Sequence, residues 1–199
     1  FTYIIHLVEK GGGGLEHLNS FVAEMNRWNF GDEKLYKKFL GLISHEFFHL
    51  WNVKRIRPEA LGPFNYDNEN YTGSLWVAEG WTSFYDNLIL RRSNLIDDKE
   101  YYEFLNTEVN DIMRFTGRFS QSLSESSFDA WIKYYRKDEN SNNSQISYYT
   151  KGALVALMLN IEIIKNTNGN KSLDDALRML YDDYKKDNSK GYTDERVRE

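Results

Sequence analysis

The 199-residue sequence predicts a mainly α-helical domain with a small β portion at its amino-terminal end. Apolar residues recur at helical spacing in several long segments, most clearly at 149–165 and 173–185. Residues 1–8 are instead β-branched and aromatic on both faces, which is typical of a buried strand. Hydrophobic residues make up 41% of the chain, enough for a substantial core, and we find neither an internal repeat nor a domain linker. Residues 1–199 are therefore expected to form one domain.

The first third of the chain is expected to carry a strand, a glycine loop and two helices. His6 lies in the strand and is expected to be a core or edge histidine. The glycine run at 11–14 predicts either a flexible turn or a close approach of another backbone. Apolar positions between 18 and 30 recur at a helical interval. Asp32 can cap a further helix that runs on to Trp51.

Loops and helices alternate over the rest of the chain. Prolines and glycines end the regular pattern after residue 57, and the basic trio Lys54, Arg55 and Arg57 is interpreted as solvated loop surface. Helices are predicted at 75–90 and 98–114. Segments 117–127, 138–144 and 166–171 are predicted to be irregular, and Ser172 is predicted to cap the helix at 173–185.

Composition excludes several classes of function. The net charge of −5 and the lack of a basic cluster argue against nucleic acid as a partner. With no cysteine, a disulfide framework or thiolate metal site is impossible, so a metal would need histidine and carboxylate ligands. No apolar run approaches the ~18 residues of a membrane span, and no signal peptide is recognisable. Because the chain begins inside a strand and residues 193–199 look like the start of a helix, we expect an excised domain, which leaves the compartment open.

The most informative motif is His-Glu-Phe-Phe-His, which spans residues 45–49. Four residues separate the histidines, so a helix places both imidazoles on one face. This HExxH pattern supplies two nitrogen ligands for zinc, from His45 and His49, and a carboxylate, Glu46, that can act as a base. The alternative is an amphipathic helix with two ordinary histidines.

A zinc site with one open position usually has three protein ligands, so a third is needed. Glu79 is the best candidate, because it lies in an apolar and aromatic segment where an unpaired carboxylate would be costly. The alternative is a glutamate that favours a helix dipole. Asp86 lies two helical turns further on and is predicted to accept a hydrogen bond from a ligand imidazole; otherwise it is a surface aspartate.

Five ordered segments resemble the catalytic domain of the glycyl aminopeptidase family of zinc metallopeptidases. These enzymes are gluzincins, the glutamate-ligand zinc peptidases that include thermolysin and the alanyl and leucyl aminopeptidases, and many carry a PDZ domain. The segments are Gly13-Gly14-Leu15-Glu16-His17, His45–His49 with Trp51–Arg55, Leu75–Gly80, Ser127-Phe128-Asp129-Ala130-Trp131 and Tyr148-Tyr149-Thr150-Lys151-Gly152.

The resemblance implies a thermolysin-like catalytic fold and a role for several residues. It implies Zn²⁺ held by His45, His49 and Glu79, with Glu46 as general base. Tyr149 matches a tyrosine whose phenol donates to the oxyanion; Tyr148 is its rival, and core packing is the alternative for both.

Substrate recognition is implied for the glycine segment. Glu16 matches a glutamate that grips the free α-amino group of the substrate, although by itself it reads as a solvent glutamate. Gly13 and Gly14 would let an extended peptide pair with this edge. His17 stands where alanyl-type enzymes have asparagine, and we assign it no role.

The resemblance therefore implies a zinc aminopeptidase that acts on peptides with small first residues, glycine or alanine. It also implies an additional β domain before this segment and a PDZ-like domain after it. Two alternatives are open at this point: an endopeptidase of the same zinc class, and a fold that binds peptides without cutting them.

Overall fold

The computed structural model describes residues 1–198, which fold into a helical body with a three-stranded sheet at one end. The predicted mainly α class with a small β portion is therefore confirmed. The α-helices of the described residues are α1 Glu33–Phe48, α2 Thr82–Arg92, α3 Asp98–Arg114, α4 Leu123–Phe128, α5 Ser141–Ser144, α6 Tyr148–Asn166, α7 Leu173–Lys186 and α8 Asp194–Arg198. Within residues 1–198, none of these helices combines the length and apolar character that a membrane crossing requires.

The sheet contains β1 Thr2–Val8, β2 Gly12–Glu16 and β3 Ser20–Asn26, in the order β1-β3-β2. β3 is the central strand, parallel to β1 and antiparallel to β2. The predicted helix at 18–30 is therefore wrong. Phe21, Ala23 and Met25 alternate along β3 and are buried, and this period of two belongs to a strand with one buried face.

β1 is a strand, as predicted, but it is not buried on both faces. It forms the edge of the sheet, and Tyr3 and Ile4 are each 49% exposed. His6 is also exposed and lies 3.5 Å from the Glu24 carboxylate of β3, so the edge interpretation of this histidine is correct.

α1 begins where the sequence predicts, because the Asp32 side chain accepts a hydrogen bond from the Leu35 N–H at 2.8 Å. The helix ends at Phe48 rather than at Trp51, and hydrogen-bonded turns continue to Ile56. α7 is likewise capped at Ser172, as predicted.

Two loop expectations are wrong in part. The basic trio is not simply solvated surface: the Lys54 ammonium lies 3.1 Å from the Glu16 carboxylate, and the Arg55 guanidinium donates to the Leu50 carbonyl at 2.6 Å. The predicted irregular segments contain a short 3-10 helix, Thr116–Phe119, and the helices α4 and α5. α4 starts with a capping box between Ser122 and Glu125 that sequence reasoning overlooked.

The predicted helix at 75–90 consists of two parts, a π-helix over Trp76–Trp81 and then α2. This first π-helix crosses α6 closely at a pair of glycines. A methyl group on Gly80 would lie 2.6 Å from the Gly152 Cα, and one on Gly152 would lie 2.8 Å from the Trp76 carbonyl oxygen. Only glycine fits on both sides, so the crossing fixes the π-helix against α6.

The first prediction concerns this crossing. We expect Gly152→Ala to lower the free energy of unfolding by about 1–3 kcal/mol, because the new methyl group would press against backbone that cannot yield. Substitution of alanine for a helical glycine with ordinary space around it should instead raise the free energy of unfolding, since alanine is the better helix former by about 1 kcal/mol. Gly41 of α1 is such a control, with its nearest contact at 3.4 Å. Urea unfolding of both variants measures the difference, and a stabilised Gly152→Ala protein would contradict the account.

Candidate active site

The carboxyl end of α1 places His45, in its last turn, beside His49, the residue that directly follows the helix. Their ring centroids are 4.7 Å apart and their planes are nearly perpendicular, at 88°. The His49 side chain is 2% exposed and that of His45 is 12% exposed, so both rings are largely buried. The four-residue spacing thus gives the expected common face.

The first π-helix brings Glu79 to the two imidazoles. Its Oε2 lies 3.2 Å from Nε2 of His45 and 3.3 Å from Nε2 of His49. The three donor atoms all lie within 4.8 Å of one another. Two imidazole nitrogens and one carboxylate oxygen are a donor set that zinc takes when it keeps an open position. The residues therefore fit a zinc ion chemically, and the carboxylate faces both histidines.

The close contact between Glu79 and the two imidazoles shifts the pKa values of these groups. Burial by itself would raise the pKa of Glu79, but the positive charge of His49 and hydrogen bonds from both imidazoles hold it well below its usual range. Burial by itself would lower the pKa of His45, but hydrogen bonds to Asp86 and Glu79 raise it to about 10. A metal cation would replace the protons that hold these groups together.

Asn52 connects His49 to the π-helix. The buried Asn52 amide donates to the carbonyls of Val77 and Ala78, at 2.9 and 3.2 Å. Its backbone carbonyl accepts a hydrogen bond from Nδ1 of His49 at 2.7 Å. Because a carbonyl can only accept, Nδ1 carries a proton, and Nε2 is the nitrogen that faces Glu79. In the charged ring Nε2 donates to Glu79, and only after losing that proton could it offer a lone pair to a metal.

Asp86 of α2 lies behind His45, with its Oδ2 atom 3.5 Å from Nδ1 of the imidazole. The carboxylate also accepts a hydrogen bond from the Asn87 N–H. Burial raises the pKa of Asp86, although the contact with His45 works in the opposite direction. Asp86 thus lies at the ring nitrogen of His45 opposite the one that faces Glu79, where an acceptor for a ligand imidazole would be placed.

The Glu46 side chain is buried beside the histidines and has a free oxygen. It is 5% exposed, and its Oε2 has no hydrogen-bond partner among the described residues. Burial raises the pKa of Glu46 to about 7, although the charges of His45 and His49 lower it. A buried acceptor with a pKa near neutrality is suited to take up and release a proton.

The edge strand β2 lies directly against Glu46. A methyl group on Gly14 would lie 2.5 Å from the Glu46 Cγ, so only glycine permits this approach. Gly13 has a φ of 109°, a left-handed conformation that also favours glycine. The glycine run therefore does allow a close approach, but the approaching group is the Glu46 side chain and not, as expected from the sequence, another backbone.

Glu16 ends β2 at the same cleft. A carboxylate oxygen of Glu16, one of Glu46 and a ring nitrogen of His49 lie within 4.8 Å of one another. Lys54 pairs with Glu16 at 3.1 Å, and both side chains are about one-fifth exposed, at 20% and 18%. His17 is exposed, with its Nδ1 3.1 Å from the Leu15 carbonyl, and it lines a neighbouring cavity of about 880 Å³; we assign it no role.

The two tyrosines at the start of α6 occupy different environments. Tyr148 is fully buried, with 1% exposure. Tyr149 lies with its ring 6.2 Å from that of His45 and lines a cavity of about 590 Å³ with Glu46, Glu79 and Glu16. Burial raises the pKa of Tyr149, and the nearby charge of Glu79 raises it further, so the phenol keeps its proton. Position favours Tyr149 over Tyr148 as a donor to a ligand.

Sequence reasoning assigned no part in the site to Asn52, Lys54 or Tyr135. Tyr135 lines the cleft, and its hydroxyl lies 3.2 Å from that of Tyr149. Asn52 and Lys54 belong to a segment used only for resemblance, and Tyr135 follows another such segment by four residues. Their places in or next to these two segments are the only sequence signal for the three residues.

Most of the residues that line the cleft lie in a segment that matches a known protein family. The sequence model of the M61 glycyl aminopeptidase family matches residues 38–155, more than half of the chain. The chain belongs to this family. That match includes both histidines, the π-helix with Glu79 and the start of α6 with Tyr149.

A solved structure supports the same assignment. The crystal structure of an aminopeptidase N family protein from Idiomarina loihiensis is similar to this chain with a TM-score of 0.93 and 36% sequence identity. The match covers 99% of this chain and 34% of that chain, so the chain spans about a third of this relative. No curated protein sequence matches the chain.

Proposed function

We propose that the protein is a zinc aminopeptidase that hydrolyses the first peptide bond of its substrates. The observation that carries the proposal is the convergence of donor atoms from His45, His49 and Glu79 within 4.8 Å, beside the free buried oxygen of Glu46. Membership of a glycyl aminopeptidase family supports the reaction class.

His45, His49 and Glu79 would hold the zinc. Asn52 and Asp86 would fix the two imidazole rings from behind, through the contacts of 2.7 and 3.5 Å to their Nδ1 atoms. When bound, zinc would supply Lewis-acid activation of the scissile carbonyl and of the attacking water.

Glu46 would act as the general base. Its unpartnered Oε2 can accept a proton from the attacking water and later pass it to the leaving amine. Gly14 keeps the space that the carboxylate occupies, because any larger residue on β2 would overlap it.

Tyr149 would stabilise the negative charge that develops on the carbonyl oxygen. Its phenol is protonated, lines the same cavity as Glu46 and Glu79, and can donate one hydrogen bond. Such a donor acts most strongly in a site from which water is largely excluded.

Glu16 would make the enzyme an exopeptidase. Its carboxylate lies close to Glu46 and can pair with the ammonium of a free amino terminus. β2 pairs only with β3 in the described sheet, so its other edge, at Gly13 and Gly14, is available to an extended peptide. We propose peptides with glycine or alanine as first residue, which the family implies.

We also propose that residues 1–199 are a single catalytic domain of a longer protein with an amino-terminal β domain and a PDZ-like domain. The span of about a third of the solved relative supports a multidomain arrangement.

The second prediction tests the exopeptidase assignment. Glu16→Gln should raise KM for peptides with a free amino terminus by roughly 10- to 100-fold, because it removes a charge-assisted hydrogen bond of about 1.5–3 kcal/mol. The matched control is Glu103→Gln on the exposed surface of α3, which should change nothing. Steady-state kinetics on zinc-loaded protein with free and acetylated versions of one peptide make the measurement. Equal cleavage of both peptides by the native protein would refute the role of Glu16.

The second candidate function is an endopeptidase of the same zinc class. A larger cavity of about 880 Å³ adjoins Glu16, Glu79 and Tyr149 and is also lined by Phe64, Tyr66 and Trp131. That volume leaves room for more than one residue on the amino side of the scissile bond. The comparison of free and acetylated peptides separates this candidate from the aminopeptidase.

A further inference from the structure

Three tyrosine hydroxyls form a chain beside the candidate active site. The Tyr135 hydroxyl lies 3.2 Å from that of Tyr149 and 3.3 Å from that of Tyr148. Tyr135 is therefore the middle member, and it joins the buried Tyr148 to the Tyr149 phenol that faces the cleft. We propose that Tyr135 is a positioning residue, which orients the Tyr149 hydroxyl toward the substrate carbonyl. This inference rests on the proposed function of Tyr149.

The direction of the hydrogen bonds suits such a role. Tyr148 donates to the Tyr135 hydroxyl, and burial raises the pKa of Tyr148, which keeps its proton in place. Each phenol has one proton to donate. Since Tyr135 accepts from Tyr148, its own proton is available to Tyr149. Either hydroxyl can donate across the 3.2 Å contact, and with Tyr135 as the donor Tyr149 keeps its own proton for the substrate.

A hydroxyl that accepts a hydrogen bond becomes a better donor, because the bonds in a chain polarise one another. The order Tyr148, Tyr135, Tyr149 therefore strengthens the last donor as well as orienting it. Ring packing supports the geometry: the Tyr148 and Tyr149 rings are stacked with centroids 4.7 Å apart.

The segment Ser127–Trp131 provides the physical basis for the placement of Tyr135. The Ser127 hydroxyl is buried and accepts a hydrogen bond from the Trp76 N–H at 3.0 Å, at the first residue of the π-helix that carries Glu79. A second π-helix, Ala130–Tyr134, follows directly, and the Tyr135 N–H closes it by donating to the Ala130 carbonyl. This segment resembles the family but supplies no ligand or base. Its connection to both Glu79 and Tyr135 gives it a function in the site.

Tyr135 could instead act in two other ways. Its side chain lines the cleft and the residue is 60% exposed, so its hydroxyl could contact the substrate directly. Its ring also packs against Tyr134, with centroids 5.2 Å apart, so its contribution could be packing alone. The Phe variant keeps the ring and removes only the hydroxyl, which separates packing from the two roles of the hydroxyl.

Kinetics of three Phe variants of zinc-loaded protein test the proposal. We expect Tyr135→Phe to lower kcat about tenfold with KM unchanged, as for the loss of one hydrogen bond between neutral groups. Tyr149→Phe should lower kcat about 100-fold, as for the loss of an oxyanion donor. In the Tyr149→Phe background, Tyr135→Phe should have no further effect on the residual rate. Tyr134→Phe, which removes a hydroxyl from the same cluster outside the chain, is the control and should keep kcat.

A spectroscopic readout makes the test independent of turnover. In protein labelled with ¹³C at tyrosine Cζ, the Tyr149 signal should shift in Tyr135→Phe and stay in place in Tyr134→Phe. An unchanged Tyr149 signal and unchanged kcat in Tyr135→Phe would overturn the proposal. If Tyr135→Phe lowers kcat by the same factor in the Tyr149→Phe background, the proposal is also overturned. Tyr135 would then contact the substrate directly. If Tyr149→Phe itself keeps the native kcat, the proposed role of Tyr149 fails. The role of Tyr149 is therefore tested by the Tyr149 variant and the role of Tyr135 by the Tyr135 variant.

Discussion

Glu46→Gln is expected to reduce kcat/KM for peptide hydrolysis by about 1,000-fold, within the range of 10²–10⁴ that a general base typically contributes. Glutamine has nearly the same shape, so the contact with Gly14 and the packing of α1 should be preserved. It lacks the basicity needed to take a proton from water. The free Oε2 of Glu46, which no described residue engages, is the atom whose chemistry is lost.

The measurement is steady-state hydrolysis of an unblocked peptide by zinc-loaded native and variant protein. The native and the variant protein are expected to contain equal amounts of zinc, because Glu46 is not among the proposed ligands. Glu103→Gln on α3 again provides a matched control, since it makes the same chemical change on the exposed surface. Turnover by the Glu46 variant within tenfold of the native rate would rule out the assigned base.

Glu79→Gln is expected to weaken zinc binding by more than 100-fold. Loss of an outer residue that orients a ligand typically costs about 10- to 100-fold in metal affinity, and loss of a ligand should cost more. The Glu79 carboxylate is the negative group between the two imidazoles, and glutamine would leave a neutral oxygen in its place. His45 and His49 alone would make a two-ligand site.

Competition with a chelator of known zinc affinity measures the effect. The variant should keep its fold, because glutamine can still accept a hydrogen bond from either imidazole, and circular dichroism checks this. Glu16→Gln serves as the comparison variant: it alters a carboxylate of the same cleft outside the proposed ligand set. An unchanged affinity in Glu79→Gln would show that another residue is the third ligand.

Local sequence signals predicted the helices of this protein well. Asp32 and Ser172 are polar residues directly before apolar helical patterns, and both cap their helices through contacts within three residues. The failure at 18–30 has an equally physical cause. Phe21 and Met25 are four residues apart, a spacing that places both on one face of a helix or of a strand. Pairing with β1 and β2 makes this segment a strand.

The active site shows where local reasoning ends. The spacing of His45 and His49 is a property of one helix, so the sequence predicts their common face. The choice of Glu79 as a ligand rests on the cost of an unpaired carboxylate among apolar residues. The π-helix that carries Glu79, however, is held by the Asn52 amide, which binds the Val77 carbonyl 25 residues away. No periodic pattern reports such a contact.

Contacts between distant segments account for the remaining misses. Lys54 looks like one member of a basic surface run until β2 brings Glu16 to it from 38 residues away in the sequence. Tyr135 reaches Tyr149 only because a second π-helix turns the chain after Ser127, and the sequence gives no sign of that turn.

The most direct test of the central claim is a crystal structure of the zinc-loaded protein, with anomalous diffraction recorded at the zinc edge. The account predicts one strong peak bonded to Nε2 of His45, Nε2 of His49 and a carboxylate oxygen of Glu79, each at about 2.0–2.2 Å. Glu46 should lie beside that ion without binding it. A zinc peak elsewhere, or a Glu79 side chain turned away from the ion, would contradict the account.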